Sequence, residues 1–317
     1  MRIATLTVNP TIDYSSVVDH VLPTIKLRTR EERFDPGGGG VNVARVIREL
    51  GGDPFALYLA GGVTGPVFEG LLARTGVRGE RLSIAGDTRI AHVVRETGTG
   101  LEYRFTPRGP EVAEAEWRAC LERTAALDAE ILVLSGSLAP GMPADFYARV
   151  IRAVRPRGVR VAVDTSGPAL FHALREGVWL AKPNLAEAEA LMGRRAGEGE
   201  EAELARELAG RFSVEILAVT LGHRGAVLVH GGRVLRLPAP QVPTVSTVGA
   251  GDAFTGAMVW ALAEGRTVEE ALRWGVATGA ATALTPGTGL CCRADVERLL
   301  AELPAPEEVA LAAQAQG

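Results

Sequence analysis

Residues 159–182, VRVAVDTSGPALFHALREGVWLAK, read as strand, helix, strand. The flanking runs, 159–164 and 178–182, are short and mostly apolar, as expected of strands buried on both faces. The segment between them, 167–176, has the amphipathic pattern of a surface helix. Two strands joined through a helix are parallel neighbours in one sheet. The unit recurs outward along the chain. Further strands are predicted at 2–8, 55–60, 130–135 and 215–221, and further helices at 40–50, 114–127, 144–155, 184–192 and 200–212. Two longer helices, 250–264 and 267–285, close the sheet near the C-terminus. Residues 226–239 turn at Gly231-Gly232 as a hairpin. The reading is an α/β fold with a mostly parallel sheet.

Two stretches depart from this pattern. Residues 11–35 are polar, with charges at strand spacing. Residues 88–106 alternate and turn at Gly98-Thr99-Gly100. Together they predict a small β lid beside the main sheet. No internal repeat or low-complexity linker divides the 317 residues, and the tail 304–317 is expected to fray.

A hydrophobic content of 47% against 23% charged residues fits a globular domain, and a net charge of -4 offers no basic footprint for nucleic acid. No apolar run reaches the ~18 residues that span a bilayer. The N-terminus reads as a strand and not a signal peptide, so a cytoplasmic location is expected. Three cysteines, Cys120, Cys291 and Cys292, are too few and too oddly numbered for a disulfide framework. The adjacent pair reads as two small residues near a helix start. Of 34 basic residues only Lys26 and Lys182 are lysines. A lysine retained against that bias points to a place where a compact ammonium is needed.

The chemistry concentrates in 246–257, STVGAGDAFTGA. Gly249, Ala250 and Gly251 precede a long apolar helix, whose N-terminus suits an anion. Asp252 in the first turn can cap that helix, or can take a proton from a hydroxyl beside the anion cradle. A second glycine run, DPGGGG (35–40), leads into a helix carrying Asn42, and permits close backbone approach to a ligand or a flexible turn. KPNLAE (182–187) has the spacing of a capping box, with Asn184 and Glu187 on one helix face. SGSLAPG (135–141) ends an apolar strand, where open parallel sheets bind ligands. The patterns GxxxxGK[ST], GxSxG and GxGxxG do not occur.

Taken in order, GGGGVNVARVIRELGG (37–52), KPNLAE and STVGAGDAFTGAMV (246–259) resemble the signatures of the ribokinase-like (PfkB) carbohydrate kinases over nearly the full length. The resemblance implies a ribokinase-like three-layer αβα sandwich with a small β-sheet lid, forming a single kinase domain over 1–317. It is finer to the phosphosugar branch, and within it to the 6-phosphofructokinases, through TVNPTID (7–13), KLR (26–28), DPGGGG, TR (88–89), EYRF (102–105), SGSLAPG and GTGLC (287–291).

What the resemblance implies can be written residue by residue. Asp252 would be the general base, with Gly249, Ala250 and Gly251 forming the anion hole. Asp13 would hold sugar hydroxyls, and Gly38, Gly39 and Asn42 would frame the sugar. Arg89, Arg104 and Ser137 would bind its phosphate, with Lys26 and Arg28 adding charge from the lid. Lys182, Asn184 and Glu187 would organise MgATP, the magnesium held through water. Thr220, Gly222 and Gly225 would run beside the nucleotide with Gly249 and Gly251. A monovalent cation, potassium, would sit on carbonyls near Ser246, Val248 and Gly287. The expected partners are ATP and a phosphosugar, with no nucleic acid and no membrane, in a homodimer paired through the lids. Physically, arginines suit bidentate phosphate contact, although in so Arg-rich a chain Arg89 and Arg104 also read as solvated surface residues. Kinases of fructose 1-phosphate resemble this chain but carry Lys at the position of Gly39, which favours fructose 6-phosphate here; tagatose 6-phosphate is a further alternative. Gly289 stands where a basic residue is expected. A silent sugar-phosphate sensor is the alternative of a different class, opposed by the retained Asp252.

Overall fold

The computed structural model describes residues 1–197 and 199–310. The first half of the chain runs β1 (Ile3–Thr7), β2 (Thr11–Val18), β3 (Arg30–Gly37), α1 (Gly39–Glu49), β4 (Phe55–Gly61), α2 (Gly65–Ala73), β5 (Arg78–Ile84), β6 (Arg89–Glu96), β7 (Glu102–Phe105), α3 (Glu114–Ala125), β8 (Ile131–Ser135) and α4 (Phe146–Val154). The second half runs β9 (Arg160–Asp164), α5 (Gly167–Leu174), β10 (Val178–Ala181), α6 (Leu185–Met192), α7 (Glu201–Phe212), β11 (Val214–Thr220), β12 (Ala226–His230), β13 (Arg233–Leu237), α8 (Ala250–Ala263), α9 (Val268–Ala283), α10 (Arg293–Glu302) and β14 (Glu307–Glu308).

Ten strands form one sheet in the order β14-β13-β12-β11-β10-β9-β8-β1-β4-β5. From β5 to β11 the pairs are parallel; β12, β13 and β14 extend the edge antiparallel. The alternation of each strand sorts its side chains between two helix layers. On β8, Leu132 and Leu134 join a core with Trp117, Phe146, Leu170 and Leu204 of α3, α4, α5 and α7. Ile131 and Val133 face the opposite core, with Val43, Phe254, Trp274 and Val296 of α1, α8, α9 and α10. The result is a three-layer αβα sandwich.

Two elements lack the signals used above. β5 (RGERLSI) is an edge strand with several exposed positions, so it shows no apolar run. α2 is apolar on more than one side and gives no clear stripe. The tail also differs from expectation in part. Glu307 and Glu308 pair with β13, and Arg233 donates to Glu308 at 3.0 Å, which orders the chain there. Residues 311–317 lie outside the described residues. Cys120 and Cys291 are buried, and Cys292 is the N-cap residue of α10.

A second sheet of four strands, ordered β3-β2-β6-β7, stands beside the first. Its central pair, β2 and β6, is parallel, and the outer pairs are antiparallel. Register places Phe34, Tyr14, His92 and Phe105 in one row across all four strands. Tyr14 stacks on Phe34 and His92 with centroids 4.7 and 4.5 Å apart, and His92 meets Phe105 at 6.3 Å. Phe34 and Phe105 stay more than half exposed, at 53% and 58%. The alternate face carries Asp13, Asp35 and Arg104, and Asp13 and Asp35 are buried.

Helix α1 lies against β1 at a point where no side chain fits. A Cβ on Gly40 would come within 2.5 Å of Thr7 Oγ1 and 2.6 Å of the Leu6 carbonyl oxygen. Gly40→Ala must therefore push α1 off the strand. We expect a loss of roughly 1–3 kcal/mol, seen as a lower urea midpoint with an unchanged slope.

Candidate active site

The C-terminal ends of the parallel strands converge on the N-termini of α1 and α8. Strand β8 delivers Ser135, β9 delivers Asp164, and the turn after β10 delivers Lys182. Each is a polar residue ending an apolar strand, which places chemistry at the carboxyl edge of the sheet. The α8 N-cap, Gly249, has φ 75°, a conformation glycine adopts without strain. A Cβ there would strike Leu290 Cδ2 at 2.7 Å. Gly251 is packed over Lys182: its Cβ would lie 3.3 Å from Nζ. The first N–H groups of α8 have no partner within the helix, so they present donors and partial positive charge to an anion.

Asp252 occupies that first turn. Asn42 Nδ2 donates to its Oδ2 at 3.0 Å, and Ser135 Oγ approaches Oδ1 at 3.4 Å. Burial drives its pKa up to about 7, helped by the negative charge of Asp164 and opposed by Asn42 and the Lys182 ammonium. Beneath it, Lys182 Nζ pairs with Asp164 Oδ1 at 3.1 Å, and Thr255 Oγ1 donates to Asp164 Oδ2 at 2.7 Å. Burial alone would lower the Lys182 pKa, but Asp164, Glu187 and Asp252 together carry it above the ordinary value. The ammonium therefore stays charged. A carboxyl titrating near neutrality beside an array of N–H donors can accept a proton from an attacking hydroxyl.

On one side of Asp252 a cavity of about 830 Å³ opens, lined by Lys182, Asn184, Thr220, Gly222, Gly225, Ala250 and Gly251 among others. Phe254, Val276 and Ala280 give it an apolar wall. Gly222 and Gly225, with φ 63° and 96°, shape its rim, and Arg224 between them is tied to Glu201 of α7. Asn184 and Glu187 cap α6 reciprocally: the Asn184 N–H donates to Glu187 Oε2 at 2.8 Å, and the Glu187 N–H to Asn184 Oδ1 at 2.9 Å. Glu187 keeps one oxygen uncommitted, and burial raises its pKa. Among the described residues no three His, Cys, Asp or Glu side chains are grouped to cage a metal. One carboxylate oxygen, contacted through water, is a donor set that fits magnesium, which keeps its waters and takes phosphate oxygens.

On the other side lie Asp13 and the glycine run. Asp13 is pushed up to about 7 by burial, against the pull of Thr11 and Arg45. A Cβ on Gly37 would overlap its carboxylate, one on Gly38 (φ 105°) would press on Thr7, and one on Gly39 would meet Ser135 Oγ at 2.4 Å and the Gly136 N at 2.6 Å. With the backbone as it stands, a side chain at position 39 would require Ser135 and Gly136 to shift. The two arginines of the small sheet face different partners. Arg89 donates to the carbonyls of Asn9 (2.8 Å), Pro10 (3.4 Å) and Pro107 (2.9 Å), and Asn9 Nδ2 reaches Ser137 Oγ at 3.5 Å. Arg104 is paired in register with Val93, four residues from Arg89 along the strand, and donates to Glu102 (2.6 Å) and to Thr247 Oγ1 (3.1 Å). Lys26 and Arg28 sit exposed between β2 and β3 and make no ion pair with the described residues. Ser246 is buried, its Oγ accepting from the Val248 N–H at 3.3 Å. Gly287 (φ 62°) packs on Ser15. At Gly289 a Cβ would lie 3.3 Å from Arg33 Nη1, so a basic group reaches that point from β3 instead.

Three residues of this site were not singled out from sequence, whereas Ser135 lies in the SGSLAPG segment that was. Asp164 ends an apolar strand in the same way, a signal that could have been used. Asn9 stands in an Asn-Pro turn after β1. Arg45 gave no signal, since it reads as the polar face of α1.

Residues 7–295 match the pfkB family carbohydrate kinases, and the chain belongs to that family. It is 42% identical over 311 residues, 97% of this chain and 91% of the relative, to the ATP-dependent 6-phosphofructokinase isozyme 2 of Mycobacterium tuberculosis. The crystal structure of phosphofructokinase-2 from Escherichia coli in complex with potassium superposes with a TM-score of 0.90 at 38% identity, covering 95% of this chain and 98% of that one. A 1-phosphofructokinase of Borreliella burgdorferi is 30% identical over 303 residues, 95% of this chain and 97% of the relative.

The raised pKa of Asp252 has a thermodynamic consequence. Its proton is held in the folded state to about pH 7 but lost near 3.8 when unfolded, so ionisation costs stability as pH rises through that window. Asp252→Asn removes the cost. We expect the variant's gain in Tm over the parent chain to be larger at about pH 8 than at about pH 5, measured by calorimetry. An equal gain at both would mean that Asp252 ionises without penalty.

Proposed function

We propose that this chain transfers the γ-phosphoryl group of ATP to the C1 hydroxyl of fructose 6-phosphate, giving fructose 1,6-bisphosphate and ADP. The observation that carries the reading is the position of Asp252, between the nucleotide-sized cavity and the Asp13–glycine pocket, at a helix N-terminus. The higher identity to 6-phosphofructokinases than to a 1-phosphofructokinase supports the choice of sugar, as does glycine and not lysine at position 39.

In this reading Asp13 accepts hydrogen bonds from sugar hydroxyls, and the backbone of Gly38 and Gly39 with Asn42 frames the ring. Ser137, Arg89 and Arg104 hold the phosphate already on the sugar, with Lys26 and Arg28 adding positive charge when their segment folds over. Arg89 arrives preoriented by its three carbonyl contacts, whereas Arg104 must leave Thr247. Asp252 takes the hydroxyl proton as the new O–P bond forms and the bond to ADP breaks. The N–H groups following Gly249 carry the charge on the transferred phosphoryl oxygens. The attack is a phosphoryl transfer in which positioning and electrostatics supply most of the rate. Lys182 neutralises the phosphates from below, while Thr220, Gly222 and Gly225 border the nucleotide. Magnesium, held through water by Glu187 with Asn184, would supply charge neutralisation for the phosphate oxygens. Potassium would lie on carbonyls near Ser246, Val248 and Gly287. The place of action we propose is the cytoplasm; no helix among the described residues is long and apolar enough to cross a membrane.

The small sheet also suggests a homodimer. An exposed aromatic row on a four-stranded sheet is costly to leave in water, and a second copy of the same row covers it symmetrically. Pairing of the two lids would shield both sites from solvent.

Two measurements test these readings. ADP release with fructose 6-phosphate, fructose 1-phosphate and tagatose 6-phosphate should give the highest kcat/KM for the first. Asp252→Asn should lower kcat by ~10²–10⁴-fold, and Arg104→Ala should raise the sugar KM by roughly tenfold or more with ATP unaffected. A different preferred sugar would overturn the substrate, and turnover by Asp252→Asn within about threefold of the parent would overturn the base. For the dimer, Phe34→Asp should yield a smaller species in light scattering. An unchanged mass would place the interface elsewhere.

A further inference from the structure

We propose that Arg45 is a positioning residue for Asp252: its guanidinium fixes which way the Asn42 amide faces, and so which carboxylate oxygen is left to accept the proton. The inference rests on the reading of Asp252 as the base.

Arg45 lies on α1, yet its side chain is only 10% exposed because β3 covers it. A guanidinium is taken from water at a cost unless its donors are met. Nη1 donates to the Pro36 carbonyl at 2.9 Å and to Asn42 Oδ1 at 3.2 Å, and Nη2 donates to Asp35 Oδ1 at 3.3 Å. Arginine has no acceptor, so only the oxygen end of the Asn42 amide can face it. The NH₂ end is then committed to Asp252 Oδ2, at 3.0 Å. Without Arg45 the amide is free to turn by half a revolution whenever Asp252 is protonated, and to accept that proton's hydrogen bond. With Arg45 in place Asn42 stays a donor in both protonation states, which favours the ionised base. Oδ2 is thereby occupied, and Oδ1, with only the long contact to Ser135, is the open oxygen.

The same guanidinium ties the base to parts of the fold that lie outside it. Asp35 belongs to β3 of the small sheet. It also accepts from Arg33 at 2.9 and 2.7 Å and from Thr288 Oγ1 at 2.9 Å. Loss of Arg45 therefore leaves Asp35 paired. The groups that face Asp252 are Asn42 from α1, Ser135 from β8, Asp164 from β9 and Lys182 after β10, with the charge of Asp13 on β2 beyond them. Of these, Asn42 is the one that Arg45 hydrogen-bonds; the Arg45 charge also holds down the pKa of Asp13, so the double variant with Asn42, and not the limb alone, isolates the positioning effect.

The test compares Arg45→Met, Asn42→Ala, their double variant and Asp252→Asn in the full chain. It reads kcat/KM for the sugar across about pH 5 to 9, the ATP KM and Tm. Arg45→Met should move the acidic limb up by about one pH unit and lower kcat at neutral pH about fivefold, with the ATP KM within about twofold. The double variant should be no worse than Asn42→Ala, since both act through one hydrogen bond. If Arg45→Met does not fold, Arg45→Gln keeps polar contacts but brings an acceptor, so either end of the Asn42 amide can face it, and the same shift is expected. An acidic limb that stays in place while Tm falls, or an additive double variant, would overturn the proposal. Near-normal turnover by Asp252→Asn would overturn the base assignment instead, and this inference with it.

Discussion

A carboxyl that is to accept a proton near neutrality must sit where ionisation is costly but not forbidden. In this chain the balance is struck by the Lys182–Asp164 pair, 3.1 Å apart and nearly closed to solvent beneath α8. Asp164 makes it harder for Asp252 to ionise, and Lys182 makes it easier. Removing either partner would leave the other as an uncompensated buried charge, a loss of roughly 3–5 kcal/mol by general experience of such pairs. The pair also explains the glycine at 251. The helix must come down close over the ammonium, and a larger residue would lift its N–H groups from the place where an anion would lie. Thr255 occupies the remaining Asp164 oxygen from one turn further along α8. The helix is thus registered against the strand ends by the same carboxylate that tunes its first turn.

The parallel sheet was legible because burial on both faces forces apolar runs, and six of its seven parallel strands obey that rule. The edge strand β5 escapes it, since solvent on one side permits charges. The site was legible to the extent that glycines mark it. The GAGD and DPGGGG runs record backbone approaches that a Cβ would block, and such constraints are written locally. The partners of those runs are not. Arg45 falls on the polar stripe of α1 by spacing, and only the return of β3 across that stripe converts a surface cation into a buried one. Asp164 closes a strand in the way a solvated turn residue would. Contacts between segments more than two hundred residues apart, such as Asn42 with Asp252, leave no trace in the periodicity of either.

The small sheet illustrates how one element can serve two surfaces. Strand alternation sends Asp13, Asp35 and Arg104 towards the sandwich and Tyr14, Phe34 and Phe105 away from it. A shift of register by one residue would exchange the two sets, exposing carboxylates and burying aromatics against charged groups. The bulge between Ser15 and Val17 on β2 falls beyond the residues that matter to the site, so the register holds where Asp13 and Asp35 lie. Arg89 reinforces it by binding the Asn9 and Pro10 carbonyls within the β1–β2 turn and the Pro107 carbonyl after β7. The sheet is therefore tied to the sandwich at the end near the glycine run, while the segment between β2 and β3 lies exposed and outside the strands.

The scarcity of lysine has a practical side. An acylating reagent that attacks primary amines finds three in the whole chain: the N-terminus, Lys26 and Lys182. Lys182 is buried and held as an ammonium by Asp164, so it is a poor nucleophile. Lys26 stands exposed in the connection between β2 and β3. A dye or crosslinker aimed at amines would thus attach, apart from the chain end, at one internal position, and its signal would report on the movement of that segment without engineered cysteines.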